Sequence, residues 1–228
     1  MALLVRSWNL FHGNTLPPTR RSHLSEMVKL AVADAPDVVC LQEVPVWALP
    51  RLEEWSGLRA FPAVARRGLQ PAGLAGWITR LDNGLLRSAI TGQANAILVA
   101  RALDVADLGH VQISRPGRER RVCQAVKLAE TVVVNLHAST DLSAAVEEIE
   151  SARAFAAGQA APGDAVVLVG DFNLVEHSVH GYSAPGPGID HILVRGIDTR
   201  PLEVWPVERR VQDGHVLSDH APVEVTLG

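Results

Sequence analysis

Short apolar, β-branched runs recur at residues 2–8, 37–42, 96–100, 122–128, 131–136, 165–169, 191–194 and 221–227, each bounded by Gly, Pro, Asp or Asn. Runs of that length and composition predict strands. Several are continuously apolar, Val132-Val133-Val134 and Val166-Val167-Leu168-Val169 above all, and a strand without a polar face must be covered on both sides. Between the runs, Leu24, Met27, Val28 and Ala31 keep helical spacing and stop before Ala35-Pro36, while Ser143 opens a second helix carrying Val146, Ile149 and Phe155. A third, shorter helix is expected around 46–55, with Pro50 working against it. Two sheets packed on each other, with helices outside, satisfy this pattern. Residues 62–94 and 104–121 hold most of the Gly, Pro and Arg and are expected to be loops or edge strands.

The polar residues fall at strand ends. Asn9, Glu43 and His137 follow predicted strands, as do Asp171 and Asn173, whereas Asp190 and the pair Asp219-His220 precede theirs. Gathering all of them on one rim requires the last two strands to run opposite to the others. The sheets must then be mixed or antiparallel, because a purely parallel doubly wound fold keeps its site at C-terminal strand ends.

These residue types suit phosphoester hydrolysis. A hard cation such as Mg²⁺ or Mn²⁺ takes one or two carboxylates plus water, and Glu43 and Asp219 suit it, with Asn9 as an amide ligand or support. Asp171 and Asn173, two residues apart, would project to the same side of an extended segment and hold the attacking water. His220 and His137 are candidates for moving a proton or stabilising charge, and Asp190 is a natural orienter for one of them.

The chain resembles the endonuclease/exonuclease/phosphatase superfamily, whose members include DNase I-like nucleases, abasic-site endonucleases, sphingomyelinases and inositol polyphosphate phosphatases. The stretches Ser7-Trp8-Asn9, Leu41-Gln42-Glu43-Val44, Asn135-Leu136-His137, Gly170-Asp171-Phe172-Asn173, Ile189-Asp190-His191 and Ser218-Asp219-His220 occur in the family's order over residues 7–220. The resemblance implies a four-layered α/β sandwich with two central mixed β-sheets. It also implies a divalent metal, Mg²⁺ or Mn²⁺, held mainly by Glu43 with Asn9 and Asp219 nearby. Asp171 and Asn173 would orient the water and phosphate, Asp190 would pair with His220, and His137 would face the scissile phosphate. Only sixteen residues, 174–189, separate Asn173 from Asp190, a place where larger relatives carry longer substrate-gripping loops.

Composition narrows the setting. A chain of 228 residues with 47% hydrophobic and 20% charged residues is expected to form a single domain around one core. A net charge of −4 offers no general attraction to nucleic acid, so a nucleic-acid substrate would need a local basic patch. Cys40 and Cys123 each sit inside an apolar run and read as buried free thiols, which fits the cytoplasm. The first residues lack a long apolar segment and cleavage site, and nowhere do eighteen apolar residues run together, so neither secretion nor a membrane span is expected. The expected molecule is a monomer acting on a phosphoester, with a catalytically silent binding scaffold of the same fold as the alternative.

Other chemistry is weaker. Ser183 in Gly181-Tyr182-Ser183-Ala184-Pro185 lacks the final Gly of a nucleophile elbow and follows no strand. His12, His23, His110, His177, His180, His191 and His215 are expected to be solvated or structural, and the His177/His180 pair has no third ligand for zinc. Arg118-Glu119-Arg120-Arg121 reads as solvated surface.

Overall fold

The structure, a computed structural model, describes residues 2–66, 92–175, 177–183 and 186–228. The eight apolar runs form strands β1 (Leu3–Asn9), β3 (Val38–Val44), β5 (Gln93–Val99), β7 (Val122–Leu128), β8 (Thr131–His137), β9 (Ala165–Asp171), β10 (Asp190–Arg195) and β14 (Val223–Leu227). Two further long strands, β4 (Arg59–Arg66) and β6 (Ala106–Gln112), lie in the stretches expected to be loops or edges. Short strands β2 (Thr15–Leu16), β11 (Glu203–Val204), β12 (Val211–Gln212) and β13 (His215–Leu217) complete the set. Residues 67–91 of the first expected loop region lie outside the described residues.

One sheet has six strands in the order β11-β14-β1-β3-β5-β4, and a second has five in the order β10-β9-β8-β7-β6. Thus β4 and β6 are edge strands. In the first sheet β1 pairs parallel with β3 and antiparallel with β14; in the second β8 pairs parallel with β9, and β9 antiparallel with β10. Both late strands therefore run against their neighbours, as a common rim requires. The sheets stack through Val5, Val38, Cys40, Ile97 and Val225 on one side and Val126, Val133, Val167, Val169 and Ile192 on the other.

Helices form the outer layers. On the first sheet sit α1 (Leu24–Ala31), a 3-10 turn over Val46–Arg51 that accommodates Pro50, and α2 (Leu52–Ser56). Their buried Leu24, Met27, Val28 and Leu52 pack on Trp8, Val39, Leu41 and Leu98. On the second sheet sits α3 (Leu142–Gln159), whose N-cap Asp141 accepts from the Ala144 N–H at 2.9 Å. Its Ala145, Ile149, Ala152 and Ala156 cover Val132, Val134, Val166 and Leu168. Helices, sheet, sheet and helix make the four-layered α/β sandwich. No helix among the described residues is long and apolar enough to cross a membrane.

One ion pair fastens the first sheet to its helices. Arg6 and Glu224 are register partners on β1 and β14, and the fully buried Arg6 donates through Nε to Glu224 Oε2 at 2.6 Å. Its Nη1 donates to the Ala31 and Ala33 carbonyls, both at 2.7 Å, at the end of α1. Removing one member of a buried pair strands the other's charge. Arg6→Met is therefore expected to cost about 3–5 kcal/mol in urea unfolding, and adding Glu224→Leu to recover most of it. A single variant within about 0.5 kcal/mol of the parent would show the pair to be idle.

Candidate active site

Side chains alternate across a strand, and the faces turned between the sheets change character toward one rim. β1 reads Val5, Ser7, Asn9; β3 reads Val38, Cys40, Gln42; β8 reads Val133, Asn135, His137; β9 reads Val167, Val169, Asp171. The apolar core gives way to a polar layer and then to the candidate residues. In that layer Gln42 Nε2 donates to Asn135 Oδ1 at 2.8 Å, and Asn135 Nδ2 donates to the Leu41 and Ala96 carbonyls at 3.0 and 3.1 Å. This buried network ties the sheets together beneath the rim; nothing in the sequence marked Gln42 and Asn135 beyond their place in the motifs.

Register then sets the rim. Asp171 pairs with His137 on one side and with Asp190 on the other, so three candidate side chains stand in a row on one face. Strict alternation would turn Glu43 to the helix side, opposite Gln42. A bulge between Leu41 and Val44, with Glu43 at φ +53, re-aims it. Of the nine non-glycine residues with left-handed backbone among those described, Phe11, His12, Glu43, Asn173 and Ser218 lie around this rim. Such strain persists where the surroundings over-determine it and gathers at functional sites.

Asp171 is the hub. Its Oδ2 accepts from Asn9 Nδ2 at 2.9 Å and lies 3.4 Å from His137 Nε2 and 3.8 Å from His220 Nε2. Its Oδ1 accepts from the Asn173 backbone N–H at 3.0 Å. Burial and the Asp190 charge push its carboxyl up to about 7, against the opposing pull of His220 and Asn9. Asn9 Oδ1 accepts from the Phe11 N–H at 3.0 Å, so the Asn9 amide is fixed at both ends.

The two histidines differ in kind. Burial works against charge on His220, yet its 2.8 Å hydrogen bond to Asp190 Oδ2 and the nearby carboxylates prevail and raise it to about 9. Its Nε2 points to Asp171 and, at 3.9 Å, to Asp219 Oδ1. His137 is held well below its ordinary value by burial, then by the Arg121 charge, His220 and His12. Environments that push like groups apart assign them different duties.

Several expectations need correction. Asn173 does not continue an extended segment: β9 ends at Asp171, Asn173 turns at φ +52, and its Nδ2 donates to the Ala138 carbonyl at 2.9 Å. The turn is the one Asp favours when it accepts from the backbone two residues on. Of the histidines expected to be solvated or structural, His12 is buried at the rim with Nε2 3.3 Å from Glu43 Oε2. Arg118 and Arg120 are exposed, but Arg121 is buried and reaches His137. Elsewhere His191 is structural as expected, bonding the Leu174 carbonyl at 2.8 Å, and Ser183 Oγ accepts from the Val194 N–H.

Among the described His, Cys, Asp and Glu side chains, those whose ligand atoms all lie within 4.8 Å of one another are Asp171, Asp190 and His220. Asp190 and His220 are already joined to each other, whereas Glu43 and Asp219 flank the hub from the first sheet's side. Glu43 Oε1 lies 4.0 Å from His137 Nε2.

The family model for the endonuclease/exonuclease/phosphatase family matches residues 7–220. The chain belongs to this family. Its members are hydrolytic phosphoesterases, and the matched span runs from Ser7 beside Asn9 to His220. No protein of curated function matches the sequence. Among solved structures, a family protein of Beutenbergia cavernae DSM 12333 superposes with TM-score 0.70 at 18% identity, over 99% of this chain and 71% of that one. Caenorhabditis elegans TDP2 gives 0.66 at 19% identity, over 100% and 74%. A mannosyl-6-phosphatase of Bacteroides thetaiotaomicron VPI-5482 gives 0.65 at 17% identity, over 99% of each chain. At such identities the likeness is one of fold.

Proposed function

We propose that this family member is a divalent-metal-dependent phosphoesterase that cleaves a phosphodiester or phosphomonoester by in-line attack of water. The observation that carries the reading is the hub itself: a buried carboxylate raised to about 7, between a neutral and a cationic imidazole, at a rim faced by further carboxylates. Asp171, near neutrality, is suited to take the proton of the attacking water, with Asn9 and the Asn173 N–H fixing its two oxygens. His220, charged and oriented by Asp190, stabilises the negative charge that grows on the phosphate.

The donors fit a hard cation. Glu43 and Asp219 offer carboxylate oxygens, Asn9 an amide oxygen, and Asp190 Oδ1 is buried without a hydrogen-bond partner, whereas both thiols are buried free cysteines. Oxygen donors without sulfur favour Mg²⁺ or Mn²⁺ over zinc. Glu43, Asp219 and Asn9 would hold the ion. When bound it supplies positive charge to the phosphate oxygens.

The net charge of −4 and the short 174–189 segment favour a small or locally exposed phosphoester over a DNA duplex, and the mannosyl-6-phosphatase of B. thetaiotaomicron has a similar fold. The reading includes a single-domain monomer in a reducing compartment, the cytoplasm, where the two buried cysteines would stay free thiols. The expected result is hydrolysis of a chromogenic phosphodiester or phosphomonoester with Mg²⁺ or Mn²⁺ and none in excess chelator. Full activity in chelator sinks the proposal. No turnover of plasmid, abasic duplex, inositol phosphates, sugar phosphates or phospholipid headgroups with metal present points instead to a silent scaffold.

A further inference from the structure

Two groups face Nδ1 of His137: the Gln93 side-chain nitrogen at 2.9 Å and Arg121 Nη1 at 3.3 Å. A guanidinium has N–H donors and no acceptor, so the ring atom it faces is satisfied only as a bare nitrogen. Turning the Gln93 amide to offer its oxygen would call for an Nδ1–H, which would then oppose the Arg121 N–H. With Gln93 offering its NH₂, both neighbours donate to one lone pair. The other edge of the ring has the opposite surroundings. Nε2 lies 3.4 Å from Asp171 Oδ2 and 4.0 Å from Glu43 Oε1, both acceptors, which call for an N–H.

We propose that Gln93 and Arg121 are positioning residues that lock His137 as a neutral imidazole protonated on Nε2. His137 is then a fixed hydrogen-bond donor to the reacting phosphate and is barred from accepting the proton of the attacking water. The lock is built from both sheets, because Gln93 opens β5 in the first and Arg121 stands immediately before β7 in the second. Both locking residues are buried, at 6% and 8% exposure. Arg121 is itself anchored, its N–H donating to Ser114 Oγ at 2.9 Å and its Nη2 to Glu119 Oε2 at 3.2 Å. His220 shows what a different partner does: its Nδ1 meets the Asp190 carboxylate, so that nitrogen carries a proton. Which atom faces the far nitrogen decides each ring's task.

The tautomer is a property of the resting protein; only the phosphate as its recipient rests on the proposed function. Long-range ¹H–¹⁵N spectra of the wild-type protein, with His137 assigned by its loss in His137→Gln, are expected to show Nε2 protonated and Nδ1 bare. A protonated Nδ1 overturns the proposal whatever the activity. Gln93→Glu places an acceptor at Nδ1 and is expected to bring a proton there, with kcat falling about tenfold to a hundredfold at little change in KM. Gln93→Met keeps the Arg121 donor and is expected to keep both the wild-type tautomer and most of the turnover. Gln93→Glu with unchanged resonances and unchanged kcat also overturns it. If no phosphoester is turned over, the proposed function fails while the spectra still decide the lock.

Discussion

Asp171→Asn is expected to lower kcat for phosphoester hydrolysis by at least about a hundredfold, the scale of losing acid–base help. The carboxylate is nearly enclosed, at 1% exposure, and its Oδ2 is approached by Asn9 Nδ2, His137 Nε2 and His220 Nε2. An amide in its place cannot accept the proton of water, and whichever way it turns, its NH₂ meets a donor: this trio at one end or the Asn173 N–H at the other. The change is nearly isosteric, so circular dichroism should stay that of the parent while saturating Mg²⁺ fails to restore turnover. His220→Ala should lose a comparable factor, since it removes the cationic ring and leaves Asp190 without its partner. Either variant within about tenfold of the parent would remove Asp171 or His220 from the proposed mechanism.

Gly170→Ala is expected to be the most damaging small change in the second sheet. Gly170 has φ +141, and a Cβ there would lie 1.9 Å from the carbonyl oxygen of Leu136 on the neighbouring strand. Backbone cannot swing aside as a flexible side chain can, because Leu136 and Gly170 are register partners in the parallel ladder that also sets His137 beside Asp171. A conformation closed to L side chains is thus combined with an overlap against main chain. Destabilisation should exceed about 4 kcal/mol, read as insoluble expression or a large fall in the urea midpoint. Whatever folds should have lost activity, because β8 and β9 must separate at the hub. A soluble, active Gly170→Ala protein with the parent's midpoint would show that this approach is not required.

The fold was legible where burial dominates. Strands such as Val166-Val167-Leu168-Val169 have one reading because nothing but two covered faces accommodates them. The edge strands β4 and β6 were legible only as loops or edges, since Pro62 and Gly109 interrupt them. Strands of two or three residues, β2 and β11 to β13, are too short to show a period. The site was legible through its six ordered motifs and through the switch from strand-final to strand-initial acids, which required the antiparallel β10 and β14. What escaped were the residues acting on other side chains. Arg121 looked like the surface arginines beside it, though it stands immediately before β7 and is buried; Gln93 lay in a stretch expected to be loop or edge strand. His12 depends on left-handed backbone that a pattern of residue types does not encode; Glu43 was named from its motif, and only its bulged geometry was hidden.

Placing β14 beside β1 also has a consequence for how the protein is made. Arg6 and Glu224 are 218 positions apart, so the ladder that brings Ser218 Oγ to the Asn9 carbonyl and His220 to Asp171 closes a very long loop. Such pairing is slow and comes late, because the entropy of closure precedes its reward. Until that ladder forms, nothing holds His220 beside Asp171. The candidate site is therefore complete only once β14 has paired with β1, a dependence contained in strand order alone.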